Sequence, residues 1–405
     1  MKYHHKPSGS DSLREILPRE PLLLMGAGPV PIAEPVSRAN GVIINHLGDT
    51  MSRVITGVQK MSQYVFQTKS DKIIGVAGPS SAAMEMTITN LLWPGRKVLV
   101  LKNGTFSARF GEMAEAVGAD VDYIEPKTQP GYIEARAVKN ALKNKQYDVL
   151  TITHGETSCG VLNPEIEEIS FLAKERGVLI IVDAVVTLGA MPVFMEKWGL
   201  DAVIAGGQKA LGSIPGISLV AFSESAWGVI ENRKNTIPHW CLDARKAWEF
   251  WGFHNYHYTA PVPGVLALHE ALNLIEEETL AVRFARHSMS SKALQEAIKA
   301  MGLDLYAPED MRLNSVVAIE SPDSASNAKI RNYMSETFGV EISGAFGLDI
   351  MRIGQMGEQC RAHNLFKTLY ALGISCRYYG VDVNIAKAMS VLEENLAQDP
   401  ETFVP

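Results

Sequence analysis

Cysteine, positive charge and long apolar runs are all scarce in this chain, and each shortage removes a class of function. Four cysteines in 405 residues, Cys159, Cys241, Cys360 and Cys376, lie far apart and form no C-x-x-C pair. Such spacing offers neither a zinc site nor a disulfide framework, so no metal is expected and a reducing, cytoplasmic compartment fits best. The formal net charge is −7. Neutralising nucleic-acid phosphates needs clustered Lys and Arg, which excludes nucleic-acid binding as the main activity. A small anion remains open as a substrate, because a local pocket can oppose the global sign. No stretch reaches the ~18 apolar residues of a membrane span. The opening MKYHHKPSGSDSLREILPRE lacks the continuous apolar segment of a secretory signal, and the final FVP is not an S-K-L type address. His4 and His5 stand without further ligands and read as part of a flexible arm. Internal repeats and low-complexity segments are missing too.

What is present is a large apolar complement, 46% of the chain, enough for a sizeable core. From about Asp71 short apolar runs alternate with amphipathic stretches: KIIGVAG, KVLVLKNG, DVDYIEP, YDVLTITHG, VLIIVDAV, DAVIAGG and ISLVAF. Several lack alternation and are rich in Val, Ile and Leu, as strands covered by helices on both faces are. Between them SAAMEMTITNLL, SARFGEMAEAVG, IEARAVKNALKN and EIEEISFLAKERG carry helical spacing. The pattern predicts βα units around a mainly parallel sheet. Later the texture changes to long helical stretches over roughly 265–301 and then to short strands, NSVVAIES, GVEIS and MRIGQMG. The expected organisation is an arm over 1–22, a large α/β domain over 23–282 and a smaller C-terminal α+β domain over 283–405. The arm either packs on a neighbour or is disordered.

In open parallel sheets, ligands bind beyond the carboxyl ends of the strands, so polar residues just after apolar runs are the candidates. Asp183 ends VLIIVDAV, where a carboxylate is costly unless a cation meets it; capping the next turn is the plainer use. Lys209 lies between AGG and LGSIPG. A loop lysine is ordinarily solvated, but small neighbours let something bulky approach, and a desolvated lysine has a lowered pKa suited to Schiff-base chemistry. Together the pair suggests a cofactor with an aldehyde and a basic ring nitrogen, and pyridoxal 5′-phosphate has both. GPSSAAMEM supplies a glycine turn and two hydroxyl residues opening a helix, so the N–H groups of Ser80 and Ser81 could face a phosphate; the same letters make an ordinary N-cap. Phe106, in NGTF, offers a flat partner for a ring, or a core aromatic.

THGETSCGVLNP, VDAVVTLGAMP, GGQKALGSIPGISLVAFSE, WEFWGFHNYHYTAPV and MRIGQMG together resemble the class V aminotransferases of the alanine–glyoxylate, serine–glyoxylate and serine–pyruvate group, over about 22–396. That resemblance implies a fold type I pyridoxal-phosphate enzyme whose large domain binds the cofactor. It makes Lys209 the residue bonded to the cofactor's aldehyde and Asp183 the partner of the ring nitrogen. Phe106 takes the ring-stacking position, often tryptophan in the group, Val185 the opposite face and Ser158 a place near the ring oxygen. Gln208, Ser80 and Ser81 match phosphate contacts, although Pro79-Ser80-Ser81 departs from the Ser-Gly-His or Gly-Thr of many relatives. Tyr256 and Thr259 match residues reaching the phosphate from the other subunit, which implies a homodimer with shared sites. Arg352 matches the arginine holding the substrate carboxylate, where a bidentate fork fixes orientation as well as charge; a lone arginine otherwise reads as a surface ion pair. Gly26 matches a backbone position lining the substrate pocket.

The resemblance implies ping-pong transfer of an amino group from a small amino acid, alanine, serine or similar, to glyoxylate or pyruvate. His46, in INHLGDTMSR, occupies a position that varies with substrate, and a histidine there could donate to a second carboxylate, an amide or a hydroxyl, or be packed without substrate contact. Pyridoxamine, ureidoglycine and aspartate are therefore alternative donors. His154 and Glu156 read as supporting or structural residues. A cysteine desulfurase-like lyase fits less well, because that family places histidine before the lysine and over the ring, where this chain has Gln208 and Phe106. A silent cofactor-binding protein is the remaining rival, and Arg352 argues against it.

Overall fold

The structure, a computed structural model, describes residues 11–322 and 325–397; His4, His5 and the terminal FVP lie outside them. All seven apolar runs become strands of one sheet: β1 (Ile73–Ala77), β2 (Lys97–Leu101), β3 (Asp120–Ile124), β4 (Val149–Thr153), β5 (Leu179–Asp183), β6 (Ala202–Gly206) and β7 (Ile217–Phe222). Their spatial order is β1-β7-β6-β5-β4-β2-β3. Strands β3, β2, β4, β5 and β6 pair in parallel. β7 runs antiparallel to both β6 and β1, so β1 points the same way as the parallel set. Leu179 to Asp183 are all buried, which explains why this run shows no alternation.

The layers over the sheet come from the amphipathic stretches. α1 (Asp49–Phe66), α2 (Ser80–Leu91), α3 (Thr105–Ala116), α4 (Ala135–Asn144) and α5 (Ile166–Lys174) include the four helices that the spacing predicts. In α4 the buried residues are Ala135, Val138 and Leu142, one stripe at i, i+3 and i+7, while its lysines and arginine face water. After α5, Gly177 takes φ +67, the left-handed turn that stops a helix and that glycine adopts at no steric cost. One core fills both sides of the sheet, with Phe66, Phe110 and Phe222 fully buried in it.

The helical stretch over 265–301 resolves into α6 (Val262–Glu278) and α7 (Leu280–Met301), which meet at Thr279. Beyond them lie β8 (Val316–Glu320), α8 (Asn327–Phe338), β9 (Ile350–Gly354), α9 (Ala362–Tyr378) and α10 (Ile385–Leu396), built on a second core. α7 spans the two units: Leu280 belongs to the first core and Ala293 to Met301 to the second. Leu23 and Leu24, expected to open the large unit, instead pair in parallel with Val340 and Glu341, and Met25 is buried in the second core. The chain therefore touches the smaller unit before building the larger one. Residues 11–21 form an exposed stretch with a single helical turn, Leu13–Ile16, capped by Ser12 and Glu15. Among the described residues no helix is long and apolar enough to cross a membrane.

Candidate active site

Because parallel strands share a carboxyl edge, the segments that follow them converge. A cavity of about 150 Å³ lies there. Ser80 and Ser81 reach it from the turn after β1, Phe106 and Arg109 from the first turns of α3, and Thr157 from beyond β4. Asp183 and Val185 come from the end of β5, and Gln208 and Lys209 from the end of β6.

Lys209 is half-buried, and its Nζ donates to the carbonyl of Ala27. Gly28 has φ +101, and a Cβ there would stand 2.6 Å from Nζ, so glycine is what lets the backbone pass over the lysine. Burial pushes the Lys209 amine down to about 8; the charge of Arg352 adds to this and that of Asp183 opposes it. Asp183 is buried, and the Val185 N–H donates to its Oδ1 at 2.9 Å. Among the described residues no cation forms an ion pair with it. Burial therefore raises its carboxyl to about 7, against the pull of the Val185 N–H and with a smaller push from Glu156.

Glu156 is fully buried and accepts from five donors: Phe106 N, Ser107 N, Ser107 Oγ, Ser158 N and Ser158 Oγ. Ser158 Oγ in turn accepts from Thr105 N at 3.0 Å. One carboxylate at the start of α3 thus fixes Phe106 and Ser158 together, with the helix dipole in its favour. His154 sits behind Asp183: its N–H donates to the Asp183 carbonyl at 2.9 Å and its Nδ1 lies 3.0 Å from Thr187 Oγ1. Burial lowers its imidazole to about 4, which keeps the ring neutral.

Arg352, buried on β9, spends three of its N–H groups on backbone carbonyls: Nε and Nη2 on Gly344, Nη1 on Thr157. A guanidinium has five donors, so one hydrogen remains on each Nη. Those two are available to a carboxylate. Gly26 lies one residue from Ala27, whose N–H donates to Ser343 Oγ at 3.0 Å; Ser343 N donates to the Arg352 carbonyl at 3.1 Å. Gly26, Lys209 and Arg352 are therefore joined through Ala27 and Ser343.

Of the expected site residues, Ser158, Gly26 and Arg352 do not line the cavity but are tied to its edge by the hydrogen bonds above, whereas Tyr256, Thr259 and His46 stand apart from it. Tyr256 and Thr259 are exposed beyond the Ala244–Trp251 helix. The His46 ring is 6.0 Å from that of Tyr256, and its Nδ1 is buried without a partner. His46 thus keeps company with Tyr256 rather than with Lys209. Two polar lining residues were not foreseen, Arg109 and Thr157, and neither was the apolar Met84. The available signal was position: Arg109 follows Phe106 by three residues, one turn along the same helical face.

A cofactor with an aldehyde, a basic ring nitrogen and a phosphate fits this lining. Lys209 has a lowered pKa, Asp183 lacks a cation, and the N–H groups of Ser80 and Ser81 in the first turn of α2 have no intrahelical acceptor. Gln208 Nε2 reaches Ser80 Oγ at 3.2 Å, while Gln208 Oε1 is buried without a partner. A larger cavity of about 580 Å³ adjoins α6 and α7, but its buried Arg283 and Arg286 are already paired with Glu278 at 2.8 and 2.5 Å. Neither a lysine nor an aspartate lines it.

Residues 36–364 match the family model for aminotransferase class-V. The alanine–glyoxylate aminotransferase of Oryctolagus cuniculus is 32% identical over 371 residues, covering 89% of this chain and 94% of that protein. The solved alanine–glyoxylate aminotransferase of Nostoc sp. superimposes with a TM-score of 0.89 at 31% identity, over 93% of this chain and all of that one. The ureidoglycine–glyoxylate aminotransferase of Bacillus subtilis also gives 0.89, at 28% identity over 95% of this chain and all of that one.

Proposed function

The chain belongs to the class-V aminotransferases, which are pyridoxal-phosphate-dependent transaminases, and on that premise we propose that it moves an amino group from alanine, serine or a similar small amino acid to glyoxylate or pyruvate in two separate half-reactions. The observation that carries this reading is the convergence of Lys209 and the unpaired Asp183 on one cavity, with the two remaining N–H groups of Arg352 linked to it through Ser343 and Ala27. Pyridoxal phosphate supplies an aldehyde that bonds the amine and a ring that takes up the electrons left when the α-proton departs.

In this reading Lys209 holds the aldehyde carbon, Asp183 the ring nitrogen, and Phe106 and Val185 the two faces of the ring. Ser80, Ser81 and Gln208 hold the phosphate, and Ser158 sits by the ring oxygen. With a pKa near 8, roughly a tenth of Lys209 is uncharged at pH 7, far more than of an ordinary lysine, and the uncharged form is the nucleophile and proton acceptor. Lys209 Nζ would be the base that takes the substrate's α-proton and later returns one. Asp183, as an anion, would keep a proton on the ring nitrogen, and that pairing would offset the burial that otherwise raises its own pKa. Arg352 orients the substrate carboxylate through its two remaining N–H groups. Gly26 lines the substrate's place with backbone alone.

A homodimer with shared sites accounts for the remaining residues. Ile43 is 83% exposed and Tyr256 61%, in the two segments that bring His46 and Tyr256 together. Large apolar side chains in such numbers at one edge favour burial against a second copy. Tyr256 and Thr259 would then serve the partner's phosphate, and His46, beside Tyr256, would face the partner's substrate. Ureidoglycine, pyridoxamine and aspartate remain the alternative donors, since a histidine at that place can take a second polar group.

Rapid mixing of the purified holoenzyme with alanine, serine, aspartate and pyridoxamine in turn, followed by glyoxylate or pyruvate, tests the reading. A donor that bleaches the lysine-bound cofactor's visible absorbance and an acceptor that restores it identify the substrate pair. Bleaching by a donor with no restoration by any oxo acid would rule out transamination of this kind.

A further inference from the structure

A phosphate monoester brings nearly two negative charges into its site at neutral pH. The residues assigned to it above, Ser80, Ser81 and Gln208, are all neutral. A buried anion met only by neutral donors costs heavily, and a cation within contact distance is the usual remedy. Of the side chains lining the cavity only Lys209 and Arg109 are cationic. Lys209 is committed elsewhere, since its nitrogen is the atom that bonds the aldehyde, and it rests on the Ala27 carbonyl.

Arg109 reaches the Ser80–Ser81 turn, and its charge is also felt by Asp183 and Lys209. Its Nη1 donates to Ser81 Oγ at 3.2 Å, and its guanidinium carbon lies 4.7 Å from the centre of the Phe106 ring. Phe106 and Arg109 are i and i+3 on α3, so the helix itself sets the stacked pair. Stacking holds the plane of the guanidinium, and the Ser81 hydroxyl aims its edge at the start of α2. Only one of its five N–H groups is used by a side-chain acceptor among the described residues. The neighbouring Gln208 amide is half satisfied, with Oε1 buried and unpartnered, and a half-turn of that amide would present its NH₂ to an anion at the same place.

We propose that Arg109 is a direct ligand of the cofactor's phosphate, supplying the positive charge that the serine and glutamine contacts lack. The assignment rests on the cofactor reading above and adds to it a prediction about the phosphate alone.

The test compares two probes on the full chain freed of cofactor: pyridoxal 5′-phosphate and pyridoxal, which share the aldehyde and ring but differ in the phosphate. Dissociation constants from absorbance titration give, for each protein, the ratio by which the phosphate improves binding. R109M keeps much of the length and apolar contact without the charge; it is expected to lower that ratio about ten- to hundredfold, the range of a charged hydrogen bond. Its affinity for pyridoxal should stay within about twofold of the parent. R109K, a point charge without the planar fork, should keep part of the ratio. R109Q, which can still donate to Ser81 Oγ, replaces R109M if the latter does not fold and should lose the ratio likewise. Equal weakening of both probes by R109M would mean a merely structural role and overturn the assignment, as would an unchanged ratio. Those outcomes leave the cofactor reading intact. A parent chain that binds neither probe would overturn both.

Discussion

The cavity around Lys209 and the edge bearing His46, Tyr256 and Thr259 are built on opposite principles. The cavity is enclosed by segments of one chain, each anchored to a buried strand end, with its charged groups shifted by burial. The edge is open, with exposed large side chains and an unpartnered buried His46 Nδ1. The first gathers most of the groups a cofactor needs within one chain; the second becomes a place only against another surface. On the proposed reading, the aldehyde and ring-nitrogen chemistry would be served from inside one chain, while His46 and Tyr256 would act only once a second copy covers the edge.

The largest expected effect falls on the cavity. Lys209→Ala should lower turnover by at least about 10³-fold, since both the anchoring amine and the proton acceptor go; steady-state assay with the identified donor checks it. Asp183→Asn comes next, with a loss of about 10²-fold or more in kcat and a signature in stability. The Asp183 carboxyl is raised to about 7 in the folded chain, against about 4 unfolded. Stability from its bound proton is thus complete below about pH 4 and lost as pH rises through about 7, by about 4 kcal/mol at most. Urea midpoints of cofactor-free protein at pH 5 and pH 8 should differ more for the parent than for D183N. Equal pH dependence would contradict the unpaired carboxylate.

Smaller effects test the edge. Tyr256→Ala should weaken cofactor binding by about tenfold, the loss of one charge-assisted contact. Mixed with Lys209→Ala under subunit exchange, at a cofactor concentration too low to load Tyr256→Ala homodimers, it should recover about a quarter of parental activity by random pairing, because half the dimers are hybrids and each hybrid has one intact site. No recovery would place Tyr256 in its own subunit's site and erase the contrast. His46→Ala is the mildest: kcat/KM for the preferred donor relative to alanine should change about three- to tenfold, with little change in cofactor affinity. An unchanged ratio would make His46 a packing residue.

How much was visible beforehand follows the same division. Six of the seven strands were legible as mostly buried apolar runs, the seventh, DVDYI, being part-exposed at the sheet edge, and Asp183 and Lys209 were legible because a charge at the end of such a run needs a reason. The reversed direction of β7 was not, since ISLVAF is as uniformly buried as its parallel neighbours and carries no mark of orientation. Arg109 carries no local mark within SARFGEMAEAVG; its meaning depends on Ser81, 28 positions earlier, and on the close packing of α2 with α3. The pairing of His46 with Tyr256 depends on a contact between remote segments that no local pattern announces. Leu23 to Met25 likewise join the second core through a partner strand more than three hundred residues away.

The account depends above all on Lys209 being the residue that holds the cofactor. Borohydride reduction of the purified holoenzyme followed by peptide mass mapping tests this directly, because reduction makes the bond to the amine permanent. The predicted result is a single pyridoxyl-phosphate adduct on the peptide containing Lys209. An adduct on another lysine, or none on a chain that retains the cofactor's absorbance, would contradict it.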